Sequence, residues 1–464
     1  MVGFLLDGRV RGPGGSALVD DIARGLAGDG LQTHRIELVP SPARTPRISH
    51  SVRHAATWVP REGGAVEPGL ASAAWIDEEP TDDCVALLAA EVCRVADAEG
   101  LDVLHAVGLG LAGRVARLVH ERSQLPYCVT PRWNDVLGDS ARATACDRDV
   151  LRHARHIVLF DEDMRRPLEA AFPARTGESP LRLRLLRRGV DLEFFKPLPR
   201  MERRSAAQRL ALRPDLGSRL HGIEWERACV VLGVQHEGDN DGFEQLLFAL
   251  PEVLRMQPAL MTLVVSFGPP AAGVDQLRAA LAMRSPEALH GVLQASELYQ
   301  PLLDHMDVLY AEGRADAWWS NAARLEPERR VRFLGEVARD EFAALLALAD
   351  FVVLPGADPR RSAHVALEAL AGGVMPLVRE SAAAAHVART IADEISAEMA
   401  SLCTLRADAP AVQEIEDKLG RVVRLRPELG ERLRALAVRK YDARQTATDL
   451  RRLYGERATA AVRA

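Results

Sequence analysis

The chain has 464 residues, 48% of them apolar and 27% charged, with a formal net charge of −6. That length exceeds one ordinary core and predicts two domains of about 200 residues each, while the mild acidity excludes a general pull toward nucleic acid or an anionic membrane. No stretch reaches the ~20 apolar residues that span a bilayer, and the opening MVGFLLDGRVRGPGG lacks the basic start and long apolar run of a signal peptide, so the expected location is the cytoplasm.

In chain order, short apolar strand candidates alternate with helical patterns. The first half offers strands in VGFLL, THRIELV, DVLHAV, YCVTP and HIVLF, separated by the helix-like SALVDDIARGLA, CVALLAAEVCRVA, GLAGRVARLVHE and DEDMRRPLEAAF. Pro, Gly and charge then cluster over residues 172–227, where the rhythm breaks. It resumes with strands in ACVVLGV, MTLVVSF, VRFLG, DFVVLP and VMPLV and helices in GFEQLLFALPEVLR, DEFAALLALA and SAHVALEALA. A β-then-α rhythm that occurs twice predicts two doubly wound domains with parallel sheets, each binding ligands beyond the carboxyl ends of its strands. The predicted domains are 1–178 and 179–442, with the terminal helix 443–464 packing back on the first. Residues 269–330 separate two strands by more than any bare loop should, so they predict an inserted helical element. Packing is the expected role of its aromatic run ELYQPLLDHMDVLYAEGRADAWWSN; a partner or acceptor surface is the lesser alternative.

Six cysteines stand apart with no C-x-x-C pair, and those in LPYCVT and ERACVVLGV read as buried structural thiols rather than zinc ligands. Lysine is confined to Lys196, Lys418 and Lys440, so residues 197–417 contain none. His153 and His156 flank a strand without a third ligand, and no metal site is expected. Residues 142–188 hold 11 arginines against 7 acidic residues, an excess consistent with at most a peripheral membrane contact.

Four stretches in order carry more than a generic pattern: GPGGS at 12–16, LRRGVDLEFFKP at 186–197, VRFLGEVARDEFAALLALADFVVLPGAD at 331–358 and VALEALAGGVMPLV at 365–378. Together they resemble the retaining glycosyltransferases of family 4. The resemblance implies the GT-B fold, two facing Rossmann-like domains, and metal-independent transfer of a sugar from a nucleoside diphosphate sugar. Gly14 and Gly15 then stand at a helix start, where free N–H groups favour an anion. In GVDLEFFKP, Gly189 is expected to take a positive φ, with Phe194 and Phe195 anchoring the turn. Glu368 matches the family's ribose-binding glutamate, and His364, four residues earlier, shares its helix face.

The same resemblance exposes substitutions. The family places an Arg directly after a Gly at a strand end and a Lys–Gly pair about seven residues on, cations that steady the leaving diphosphate. Here LGVQHEGDNDG puts Val234 and Asp241 in those places, ahead of Gly242. The family's sugar-contacting glutamate, eight positions before Glu368, is Arg360, and its N-domain His is Arg132. The donor-side Gly-rich segment is replaced by ESAAAAHVA at 380–388. Arg132 and Arg360 are therefore the catalytic candidates, and Gly14, Gly15, Glu368 and Arg361 the nucleotide-binding ones, since guanidinium groups grip phosphate in a bidentate manner and keep their charge when desolvated. Two functions follow: a hexosyltransferase with an altered donor site, or a non-catalytic pseudo-glycosyltransferase that binds or scaffolds a partner transferase.

Overall fold

The computed structural model describes the chain apart from residues 8–12, 40–45, 55–56, 61–80, 137–143, 174–179, 237–241, 268–271, 326–328, 357–362, 408–409, 423–425 and 457–464, together with Asp29 and Ser381. Two compact units result: Met1–Asp191 with Tyr441–Ala464, and Leu192–Lys440. The division comes 13 residues after the 178/179 boundary expected from composition, because a short strand at Leu183–Leu185 still pairs into the first sheet.

The first unit runs β1 (Val2–Asp7), α1 (Pro13–Gly28), β2 (Thr33–Val39), β3 (Arg47–His54), β4 (Thr57–Pro60), α2 (Asp82–Glu99), β5 (Val103–Val107), α3 (Leu111–Ser123), β6 (Tyr127–Thr130), α4 (Ala145–His153), β7 (His156–Leu159), α5 (Arg165–Ala171) and β8 (Leu183–Leu185). The second continues with α6 (Arg203–Leu210), α7 (Pro214–Leu220), β9 (Cys229–His236), α8 (Phe243–Met256), β10 (Leu260–Phe267), α9 (Ala272–Met283), α10 (Pro286–Gln294), α11 (Gln300–Ala311) and α12 (Ala315–Leu325). It ends with β11 (Val331–Gly335), α13 (Arg339–Leu348), β12 (Phe351–Leu354), α14 (Ala363–Ala371), β13 (Met375–Arg379), α15 (Ala382–Glu394), α16 (Ala397–Cys403), β14 (Thr404–Leu405), α17 (Ala411–Val422) and α18 (Arg426–Lys440). The chain then returns to the first unit as α19 (Ala443–Gly455).

In the first unit the strand order is β4-β3-β2-β1-β5-β6-β7-β8. From β2 to β8 the pairing is parallel, but β3 and β4 join antiparallel at one edge. That hairpin is a departure from the expected all-parallel sheet. Its sequence RISHSVRH alternates weakly and carries two histidines and two arginines, so it lacks the apolar run of a central strand. The second sheet, β11-β10-β9-β12-β13-β14, is parallel throughout. Fully buried β1 (VGFLLD) and β12 (FVVL) show why: strands covered on both faces carry apolar side chains at successive positions.

The terminal helix belongs to the first core. Ala447, Leu450, Leu453 and Tyr454 of α19 join Phe4, Val19, Ile22 and Leu26 in one buried cluster. A Cβ on Gly25 would come within 2.5 Å of the Ala447 methyl, so the two helices touch backbone to side chain. Gly189 does not have the positive φ expected of it. Its role is close approach instead: a Cβ there would lie 2.4 Å from the Ala443 Cα.

Residues 269–330 supply four helices, α9 to α12, between β10 and β11. Trp318 is 2% exposed and donates its indole N–H to the Phe248 carbonyl at 3.3 Å, tying α12 to α8. His305 of α11 meets Glu416 of α17 at 3.6 Å. A cavity of about 260 Å³ among α10, α11 and α12 is lined by His290, Met306, Tyr310 and Trp319, among others. Cys128, Cys229 and Cys403 are buried free thiols, and burial pushes Cys128 and Cys403 up to about 12. No helix among the described residues is long and apolar enough to cross a membrane.

Candidate functional site

Strand order in each sheet reverses direction once: between β1 and β5 in the first unit, and between β9 and β12 in the second. The carboxyl ends of those strand pairs are where a doubly wound sheet leaves room for a ligand. In the second unit that place is tightly built. Gly242, at φ +66, caps the start of α8, and a Cβ on it would lie 2.9 Å from the Pro355 carbonyl carbon and oxygen, just beyond β12. Only glycine fits, because a side chain would be both strained and obstructed.

Glu368 sits on α14, the helix following β12, and is 5% exposed. Its Oε1 lies 3.9 Å from Nη2 of Arg339, the first residue of α13. The Arg339 guanidinium carbon is 5.5 Å from the ring centroids of both Phe194 and Phe195, which meet edge to face at 5.1 Å. A guanidinium tolerates this environment because its planar, weakly hydrated cation packs well on aromatic rings. It supplies a cation beside a buried carboxylate, which lessens the cost of keeping that charge out of water. The two phenylalanines therefore do more than anchor a turn. His364, one helical turn before Glu368, is 7% exposed and also buried. Nothing in GEVARDEF distinguishes Arg339 from a solvated arginine at a helix start, so the sequence alone does not single it out.

Val234 lies within β9, pairs with Val265 and is 3% exposed. The strand continues to His236, so the position that the resemblance matches to a strand-end arginine is a core position here. Arg360, Arg361 and Asp241 lie outside the described residues. The ESAAAAHVA replacement largely forms the start of α15.

In the first unit, Gly14 and Gly15 fall in the first turn of α1. Arg132 follows β6 and caps a short helical turn at Trp133–Asp135. The half-buried Asp135 carboxylate accepts the backbone N–H of Arg132 at 2.7 Å and of Leu109 at 2.9 Å. Burial raises the Asp135 pKa, opposed by Arg132 and these two hydrogen bonds. The Arg132 side chain folds over Gly108, whose φ is +103; a Cβ there would lie 2.6 Å from Nη2. Gly108, Gly110 and Gly113 have the G-x-G-x-x-G spacing between a strand and a helix, a signal available in HAVGLGLAG. Its third glycine serves packing, since a Cβ would lie 2.9 Å from Val150. Its Leu109 amide is bonded by the protein's own Asp135, so the turn is closed internally.

Behind this edge, His105 is fully buried between Tyr454 Oη at 2.5 Å from Nδ1 and Thr130 Oγ1 at 2.8 Å from Nε2. Burial lowers the His105 pKa to about 3, so the ring is neutral. His156 is also buried, 3.6 Å from Glu456, and its pKa is lowered chiefly by burial.

Whole-chain comparison places this architecture. Sucrose-phosphate synthase from Thermosynechococcus elongatus aligns over 98% of this chain and 98% of its own, with a TM-score of 0.60 and 14% identity. The fold is that of the GT-B glycosyltransferases. HepE from Anabaena, solved with UDP and glucose, aligns over 97% of this chain and 98% of its own at a TM-score of 0.58 and 14% identity. The catalytic domain of starch synthase IV from Arabidopsis thaliana, bound to ADP and acarbose, aligns over 98% of both chains at a TM-score of 0.58 and 10% identity. No protein-family model matches the sequence, and no curated protein is significantly similar to it. The likeness to GT-B enzymes thus lies in backbone architecture, and individual site residues must be argued from their own surroundings.

Proposed function

We propose that the chain is a nucleotide-sugar-dependent glycosyltransferase of the family-4 type, transferring a hexosyl group with retention and without a catalytic metal, through an altered donor site. The observation that carries this is Glu368: a carboxylate is kept in a buried position on α14, beside the strand-order reversal of the second unit, with Arg339 rather than an apolar neighbour beside it. A carboxylate so placed can accept hydrogen bonds from ribose hydroxyls, the role the family resemblance assigns it. Solved neighbours that bind UDP or UDP-glucose support a nucleoside diphosphate sugar as donor. In this reading Arg360, Arg361 and Arg132 take over the phosphate-gripping work of the absent Lys and Arg, and Gly14 and Gly15 let α1 approach the ligand closely. The first unit supplies the acceptor side.

A second reading is favoured by one specific observation. Val234 is packed in the sheet interior, so the cation that its position carries in the family has no counterpart there. With Asp241 in place of the lysine, a carboxylate would repel rather than hold a diphosphate. The protein would then be a pseudo-glycosyltransferase that binds or scaffolds a partner transferase.

Thermal unfolding with UDP, GDP, ADP and their sugars, read beside donor turnover, separates the two readings. Ligand at one hundred times its Kd stabilises the native state by about 2.7 kcal/mol. A shift with a nucleotide sugar, together with donor turnover lost in Arg360→Ala, supports the transferase; a shift without turnover supports the scaffold. No shift at millimolar ligand sinks the transferase and leaves the scaffold, whose repelled diphosphate predicts that outcome.

A further inference from the structure

The opposite edge of the first sheet holds a cluster that no sugar chemistry uses. His34 is the second residue of β2 and His50 lies in the middle of β3; the two strands pair antiparallel with Ile36 opposite His50 and Val52 opposite His34. The histidines are therefore diagonal neighbours on one face of the sheet. His34 is 0% and His50 7% exposed. Their rings stack at 14°, and Nδ1 of His34 lies 3.1 Å from Nε2 of His50. Glu99, the last residue of α2, completes the group: one ligand atom from each of the three residues lies within 4.8 Å of the others.

We propose that His34, His50 and Glu99 form a binding site for a zinc(II) ion that fastens the antiparallel β3–β4 extension and the end of α2 to the parallel sheet. Two nitrogens at 2.0–2.1 Å from a tetrahedral zinc stand about 3.3 Å apart, close to the spacing already held here. Two imidazoles and one carboxylate are a donor set that zinc takes, with water in the fourth position. Partly exposed Glu99 gives the ion and that water a route in.

Charge favours the cation on this face. Strand alternation turns Arg35 and Arg53 to the other face, where Arg35 pairs with Asp20 and Glu37, and Arg53 feels Arg24, Asp20, Asp21 and Asp191. Binding is written without a redox step. In the metal-free pair, one proton bridges the two facing ring nitrogens. Zinc takes both lone pairs, and that proton passes to the far-side nitrogen of its own ring, so both imidazoles remain neutral and no net proton is released. The site is separate from the donor chemistry, since His34 begins a strand whose opposite end faces the ligand edge.

The test uses the full chain, stripped with a chelator and titrated with zinc(II) against a chromophoric competitor. One ion per chain is expected, bound at least about tenfold more weakly in Glu99→Gln and in His50→Ala. Cobalt(II) substitution should give visible absorption of a four-coordinate ion with no thiolate charge-transfer band, because no cysteine belongs to the set. Zinc should also raise the unfolding temperature of the wild-type chain and not of Glu99→Gln, a conservative change at a half-buried position. Equal zinc affinity in wild type, Glu99→Gln and His50→Ala would overturn the proposal, as would a thiolate band. Absence of stoichiometric binding by the folded wild-type chain would overturn it equally.

Discussion

Arg339 holds its guanidinium 3.9 Å from the buried carboxylate of Glu368, with the guanidinium carbon 5.5 Å from the ring centroids of both Phe194 and Phe195. Removing the arginine takes one cation from beside a carboxylate of 5% exposure, whereas removing the carboxylate leaves a 19%-exposed arginine that can still rest on the rings. Arg339→Ala should therefore cost more than Glu368→Gln, about 2–3 against about 1 kcal/mol in urea unfolding, short of the ~3–5 kcal/mol of a fully buried pair. For nucleotide affinity the order should reverse, because only Glu368 meets the ribose in the proposed function. Equal effects of both variants on affinity would remove Glu368 from the binding role.

His105 sets a pH dependence. Its folded-state pKa of about 3 lies below the ordinary value of 6.5, so between those limits the unfolded chain binds the extra proton. Stability should then fall as pH drops from about 6.5 toward 3, by up to about 1.4 kcal/mol per pH unit from this group. His105→Asn should flatten that slope in a series of denaturant titrations, at the expense of stability at neutral pH through the lost bonds to Tyr454 and Thr130. An unchanged slope would mean that burial does not depress the folded-state pKa of His105.

At Gly242, φ +66 and a 2.9 Å approach to Pro355 act together. Gly242→Ala should destabilise the second unit by about 1–3 kcal/mol, beyond the cost of the backbone conformation alone. If the site beyond β9 and β12 holds the donor, the same variant should weaken nucleotide binding while leaving the zinc titration of the first unit unchanged.

Trp318 tests whether the four-helix insertion is part of the second core. At 2% exposure, with its indole N–H bonded to Phe248 and the two rings 5.4 Å apart, Trp318→Ala should cost about 3–5 kcal/mol. A loss below about 1 kcal/mol would show that α9 to α12 fold independently of α8.

Much of the architecture was legible before any coordinates. Ten apolar runs, from VGFLL to VMPLV, are strands, because a strand covered on both faces must be apolar at consecutive positions and that pattern is local. The edge strands RISHSVRH and TWVP were not legible, since edge strands tolerate polar residues and their pairing is decided across the sheet. Of the candidate site, Glu368 could be named from LEALAGG, but Arg339 could not. The chain separates them by 29 positions, and only packing against Phe194 and Phe195 sets that arginine apart from the dozens elsewhere.

The sequence by itself determined the alternation of strands and helices, the absence of lysine from 197–417 and the substitution of Val234 and Asp241, all of which are properties of composition and short-range order. Tertiary structure alone decided that Val234 is a core residue, that Gly189 gives way to Ala443 rather than turning left-handed, and that His34, His50 and Glu99 meet. The reason is physical: hydrophobic periodicity is written in neighbouring residues, whereas the partner of a buried charge or imidazole comes from whichever distant segment the packing of sheets and helices brings beside it.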